Sequence, residues 1–160
     1  IDAQAGIESA FSILAQGLAG LNLIHDVGYM DMAMICSAEM LVLGDEVIGM
    51  TKRFIRGIEV TAETLARSVI EKVGPGGHFL QEDHTYEHFR KELWIPSLMA
   101  RQPYDLWSQA GSKDMSQRVA EKVRNIVDNH KVPPLPDKTL AALEKLKISG
   151  EKELTEAYAK

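Results

Sequence analysis

A chain of 160 residues is long enough for one compact domain and too short for two ordinary ones. Apolar residues make up 45% and charged residues 26%, a balance that excludes intrinsic disorder and fits a globular chain. Twenty-three acidic against eighteen basic residues leave a net charge of -5, which argues against a binder of duplex nucleic acid or anionic membrane. The single cysteine, Cys36, excludes an internal disulfide framework and a Cys-rich metal cage, and it suits a reducing cytoplasm.

The first ten residues carry Asp2 and Glu8 without a basic start, so they do not form a signal peptide. Residues 3 to 18 place Ile7, Phe11, Leu14 and Leu18 at helical spacing, with Gln4, Glu8, Ser12 and Gln16 elsewhere on the wheel. Gly17 and Gly20 suit the end of that helix. The short apolar run Leu21 to His25, punctuated by Gly20 and Gly28, reads as a strand that turns abruptly polar at His25-Asp26-Val27-Gly28-Tyr29.

A second helix is expected from about Met34 to Phe54, on the repeat Ala38, Leu41, Val42 and Ile48. Asp31, Glu39, Asp45 and Glu46 break the apolar stretch from Met30 to Met50, which rules out a membrane span there. Gly44 and Gly49 weaken this helix, and close packing accounts for them. Cys36, among Met34, Ile35, Ala38 and Met40, reads as a small core residue.

Thr61 has the character of an N-cap for a helix burying Leu65, Val69 and Val73, which Gly74-Pro75-Gly76-Gly77 ends. That glycine-rich turn follows a helix and lacks the Gly-Lys-Ser/Thr ending, so it fails the nucleotide-loop templates. His78-Phe79-Leu80 reads as a second short strand. Further helical pieces follow around Tyr86 to Trp94 and around Trp107. Ser112 then caps a helix through Met115, Val119, Val123 and Ile126. Pro133-Pro134-Leu135-Pro136 is a stiff connector to a last helix from about Lys138 to Lys147, with a charged, frayed tail after Gly150.

This order is the rhythm of an α/β unit, in which parallel strands are backed by helices. Two short strands cannot make a stable sheet, so the partner strands are expected upstream or on another chain. The chain also begins with Ile1, inside what reads as a running helix, and a fragment of a longer polypeptide is expected.

Two constellations can carry chemistry. His84 and His88 lie four residues apart on one helix face and could ligate zinc, with His78 or Asp83 as a third ligand. No Glu directly follows the first His, so this is not the zincin arrangement, and a helix-end pair of histidines needs no metal. His25, Asp26 and Tyr29 follow an expected strand, where parallel α/β folds place their sites. A His there exchanges protons near neutral pH, and a neighbouring carboxylate holds its tautomer. The plainer account is a satisfied buried His with Asp26 capping the next turn.

The runs Asp2-Ala3-Gln4-Ala5-Gly6 and Leu18 to Tyr29, then Gly76-Gly77-His78-Phe79-Leu80 followed by Thr85, and Glu92-Leu93-Trp94-Ile95-Pro96, together resemble the C-terminal third of the trimethylamine methyltransferase family. The resemblance covers roughly residues 2 to 130. It implies the final strands and helices of a (β/α)8 TIM barrel over residues 1–110, predominantly helical in this chain, with a helical C-terminal extension over 111–160. It implies methyl transfer from trimethylamine or a related betaine to the cobalt of a corrinoid on a separate partner protein. No cofactor is expected in this chain itself. In the trimethylamine members pyrrolysine falls at about the boundary where residue 1 stands.

On that likeness His25 and Asp26 are the catalytic candidates, and Tyr29, His78, Gln81 and Glu82 are the substrate-binding candidates. No metal ligand is assigned. The competing expectation is a helical module, with the amphipathic helices from Ser112 to Lys147 serving oligomerisation or docking without catalysis. A cytoplasmic, homo-oligomeric protein is expected in either case.

Overall fold

The computed structural model describes residues 2–158. These divide into two compact units, one reaching Val127 and one starting at Asp128. Among the described residues the fold is predominantly helical, with a single two-stranded ladder. No described helix is long and apolar enough to cross a membrane.

In the first unit, helix α1 spans Ala3–Leu18, and Asp2 caps it by accepting a hydrogen bond from the Ala5 amide at 2.9 Å. Ile13 is its buried residue, whereas Ile7 and Phe11 stay exposed. The helix expected over 3 to 18 is therefore present, but its packed face is turned away from the apolar line read from the sequence. Gly17 sets that face. A Cβ there would lie 2.7 Å from Ile55 Cδ1 and 3.2 Å from Thr51 Cγ2, so the next long helix can approach only over a glycine.

That partner is α2, Ala38–Arg56. The Ser37 hydroxyl accepts from the Met40 amide at 3.2 Å and starts it four residues later than the expected Met34, Ala33 being still in a left-handed turn. Met40, Leu43, Val47 and Thr51 recur at helical spacing and form its buried face. The stripe read from the sequence, Ala38, Leu41, Val42 and Ile48, lines a second face. This is an apolar groove of ≈ 450 Å³ shared with Val123 and Ile126. Both helix-interior glycines sit at close approaches, Gly44 under Val27 and Gly49 under the Trp94 indole.

The expected strands at Leu21 to His25 and at His78 to Leu80 are not strands here. A strand needs a neighbour to satisfy its peptide groups, and neither segment has one. The ladder that does form is β1 (Tyr29–Met30) with β2 (Ile35–Cys36), antiparallel, pairing Tyr29 with Cys36 and Met30 with Ile35. Its loop passes through three successive left-handed residues, Asp31, Met32 and Ala33. Cys36 is exposed on β2 and so is not the core residue expected.

Beyond α2, a Thr61–Thr64 pair exchanges backbone-to-hydroxyl hydrogen bonds at 2.8 and 3.2 Å, holding a turn rather than starting a helix. The regular helix, α3, covers only Arg67–Val73. Helix α4 (Asp83–Glu92) is tied to the end of α2 by Glu92. Its carboxylate pairs with Arg53 at 3.2 Å and Arg56 at 2.9 Å, and its carbonyl accepts from Arg53 Nε at 2.7 Å. A short α5 (Tyr104–Gln109) precedes α6 (Met115–Asn129). Asp114, and not Ser112, caps α6 by accepting from the Gln117 amide at 2.8 Å.

The strongest tertiary link inside the first unit is a buried carboxylate. Glu46 of α2 accepts from the amides of Ser97, Leu98 and Met99 at 3.2, 2.7 and 3.1 Å and from the Ser97 hydroxyl at 2.8 Å. On the other side of the 97–99 turn, Lys122 of α6 donates to Ser97 Oγ at 3.0 Å and Arg118 Nε to the Leu98 carbonyl at 2.6 Å. The turn is thus held between α2 and α6. Burial pushes the Glu46 pKa up, but the hydrogen bonds from Leu98, Ser97 and Met99 outweigh it and hold the carboxyl below the usual range.

The second unit contains helix α7, Asp137–Tyr158. It continues well past Lys147, so the expected frayed tail after Gly150 is helical through the last described turn. Gly150 is tolerated inside it at the ordinary propensity cost.

Candidate functional site

An open cleft of ≈ 570 Å³ lies between the polar face of α1 and the segment from His25 to Asp31, with Met40 of α2 at its base. Helix α1 contributes Gln4, Glu8, Ser12 and Gln16, four residues at i, i+4 spacing and therefore one stripe of the helix. The other wall is a tight turn. Asp26 has a left-handed φ of 65°, and its carbonyl accepts from the Tyr29 amide at 3.2 Å.

The turn is seated on α2. Gly28 has a φ of 90° and is buried, and a Cβ there would stand 3.1 Å from Leu41 Cβ and 3.3 Å from Leu41 Cα. The Gly28 carbonyl also accepts from the Ser37 amide at 2.9 Å, linking the turn to the cap of α2. These contacts place His25, Asp26 and Tyr29 together on the cleft.

Within it, His25 Nδ1 lies 2.6 Å from Asp26 Oδ2, with both side chains more than half exposed. A carboxylate at that nitrogen favours the tautomer protonated on Nδ1 and leaves Nε2 as the exchangeable nitrogen. His25 is thus solvent-facing, not the sealed core histidine of the plainer account. Tyr29 is 48% exposed and presents a ring at the same opening. Asp2, Glu8, Asp26 and Asp31 all line the cleft and give it a negative character.

The remaining candidates lie elsewhere. His78, Gln81 and Glu82 do not line this cleft. Glu82 sits at the start of α4 and binds Lys72 Nζ at 2.8 Å, an interaction that raises the Lys72 pKa by hydrogen bonding and charge. Among the described residues, no group of three or more His, Cys, Asp or Glu side chains is arranged to hold a metal ion. His84 and His88 instead stack with ring centroids 4.3 Å apart. Both turn to one residue: His84 Nε2 lies 3.0 Å from the Glu63 carbonyl oxygen, and His88 Nε2 lies 3.2 Å from its carboxylate. The pair fastens α4 to the 61–66 turn.

In the sequence the α1 stripe stands only as the polar residues lying elsewhere on the wheel from the apolar line of an amphipathic helix. Only the fold shows that it faces the His25 turn. Four carboxylates converging from positions 2, 8, 26 and 31 have no local spacing signature that could have announced them.

Against this geometry, the sequence profile of the trimethylamine methyltransferase (MTTB) family matches residues 1–153. The chain belongs to that family. It is 37% identical over 145 residues to a trimethylamine methyltransferase, MttB, of Desulfitobacterium hafniense strain DSM 10664 / DCB-2, covering 91% of this chain and 29% of the relative. It is 36% identical over 143 residues to a glycine betaine methyltransferase of Desulfitobacterium hafniense strain Y51, covering 89% and 29%. It is 39% identical over 137 residues to a trimethylamine methyltransferase, MttB2, of Methanosarcina mazei, covering 84% and 27%. The chain therefore spans less than a third of the length of these curated relatives.

Proposed function

We propose that this chain is the C-terminal part of a methyltransferase that moves a methyl group from trimethylamine or a betaine to the cobalt of a corrinoid carried by a separate protein. The observation that carries the reading is the open cleft on which His25, Asp26 and Tyr29 of the family-like His25-Asp26-Val27-Gly28-Tyr29 run converge. In the whole protein the earlier residues would complete a (β/α)8 barrel, with this cleft on its catalytic face and, in trimethylamine members, pyrrolysine close to residue 1.

The cleft suits a small methylated amine and is too small and too open to enclose a corrin, which fits a methyl acceptor presented from outside. The corrinoid supplies the cobalt nucleophile. The N–CH3 bond breaks as the methyl passes to cobalt, and the amine keeps the bonding pair and departs. The Tyr29 face and the carboxylates on the cleft stabilise a methylammonium group by cation–π and charge attraction. As the amine leaves neutral, His25 in its imidazolium form, with Nδ1–H held by Asp26, gives its Nε2 proton to the lone pair freed on the amine nitrogen. Both groups orient the substrate for in-line transfer.

The test is His25→Ala in the polypeptide that contains the complete barrel, assayed for methylation of cob(I)alamin. General acid–base catalysis of the usual size predicts a fall of about 100-fold or more. Turnover equal to the parent would remove His25 from the site and end this reading.

A further inference from the structure

We propose that Val27 and Gly44 are positioning residues, Val27 seated over Gly44 so that the turn beneath His25 and Asp26 holds that pair in register at the cleft. The inference rests on the functional reading of the cleft given above, and it concerns how the reactive pair is fixed.

The turn touches α2 at two points one helical turn apart. Gly28 lies against Leu41, and Val27 lies against Gly44. Positions 41 and 44 share a face of the helix, so the two contacts form one notch. A Cβ on residue 44 would stand 2.5 Å from Val27 Cγ1, closer than atoms can approach. Gly44 is buried and has no left-handed φ to explain it, and glycine weakens a helix interior relative to alanine. The notch is the physical reason for its presence.

Val27 lines both the His25 cleft and the apolar groove against α6, so it is the residue through which the turn is anchored in the body of the unit. His25 and Asp26 are themselves exposed, and their relative placement depends on the turn that carries them. Because valine is stiff about χ1, a methyl placed at residue 44 is met at the cost of a rotamer change or by displacing the turn.

The geometry also supplies a rescue. Val27 Cβ would lie 3.9 Å from the new Cβ, an ordinary contact, so removing the two γ-methyls makes room for alanine at 44. Gly44→Ala should displace the turn, and Val27→Ala combined with Gly44→Ala should let it return.

The readout is the imidazole nitrogen spectrum of His25 in the ¹⁵N-labelled chain, recorded above the imidazole titration, with helix content followed in parallel. In the parent the proton should reside mainly on Nδ1. Gly44→Ala should keep the helix content and shift the tautomer ratio toward Nε2–H by about two- to fivefold, the range one exposed hydrogen bond to a carboxylate can set. The double variant should recover the parent spectrum. Unmoved His25 signals in Gly44→Ala, or no recovery in the double variant, would overturn the proposal.

Should Gly44→Ala fail to fold, Val27→Ala alone decides. Val27→Ala alone leaves over Gly44 a gap that the residue-44 methyl fills in the double variant, so the single change predicts the same direction of shift, and an unchanged spectrum refutes it. The measurement needs no turnover, so unchanged methyl transfer in His25→Ala would sink the function while leaving this joint standing, and the reverse also holds.

Discussion

Glu46 offers the sharpest energetic test of the fold. Glu46→Ala removes the acceptor of four hydrogen bonds at once. The Ser97 donors and the Met99 amide lie at partly exposed residues and can recruit water, whereas Leu98 is 4% exposed and its amide would be stranded. A stranded buried donor costs about 1–3 kcal/mol, and losing bonds to a charged acceptor adds roughly 1–2 kcal/mol, so about 3 kcal/mol is expected. Urea unfolding of the chain would show it as a lower midpoint with an unchanged slope. Hydrogen exchange at the Leu98 amide should accelerate with it.

The pH dependence is a second arm of the same experiment. The folded-state pKa of Glu46 is lowered, so its contribution is fully present above the unfolded glutamate value and fades as pH falls through the folded one. The parent should therefore lose stability on acidification below about pH 4.3, with a smaller dependence in Glu46→Gln. A loss under about 1 kcal/mol in Glu46→Ala with Leu98 exchange unchanged would show that the 97–99 turn is held by something else.

Three further outcomes are expected. Tyr29→Leu in the complete enzyme should raise KM for the methylated amine about fivefold with little change in kcat, the size of one cation–π contact of about 1 kcal/mol; an unaltered KM would separate the ring from the substrate. Gly28→Ala combines a φ of 90° with contact against the Leu41 backbone, and should destabilise the first unit by about 2 kcal/mol in thermal unfolding. Equilibrium dialysis of the chain against zinc should give well under one bound ion per chain, because His84 and His88 are both turned to Glu63; stoichiometric zinc would revive the metal reading.

The legible parts of this fold are those fixed by local chemistry. Helix α1 and the existence of α2 follow from periodicity, and the close-packed glycines of α2 follow from their cost inside a helix. What failed depends on partners distant in the chain. Leu21 to His25 has the composition of a strand, but strand formation needs a neighbouring edge, and the hairpin that forms uses Tyr29–Met30 and Ile35–Cys36 instead. Ile7 and Phe11 carried the helical period of α1, yet the close approach at Gly17 turned another face inward.

The site was half visible. The run from His25 to Tyr29 marked one wall of the cleft, and the turn chemistry of Asp26 and Gly28 places those residues there. The opposite wall comes from α1 and could not be assigned without the packing of the two helices. Glu46 stood in the sequence only as a carboxylate interrupting an apolar stretch; the stripe read there, Ala38, Leu41, Val42 and Ile48, lines another face, and the fold shows Glu46 buried beside Leu43. Its three amide partners carry no side-chain signal, which is why the sequence showed the acceptor and hid the donors.

The Glu46 clamp closes a span of 51 residues. During synthesis the acidic group leaves the ribosome long before the backbone that will receive it, and in that interval it must stay hydrated. The surroundings of residue 46 can therefore shed water only once the polypeptide has reached the amides that take water's place.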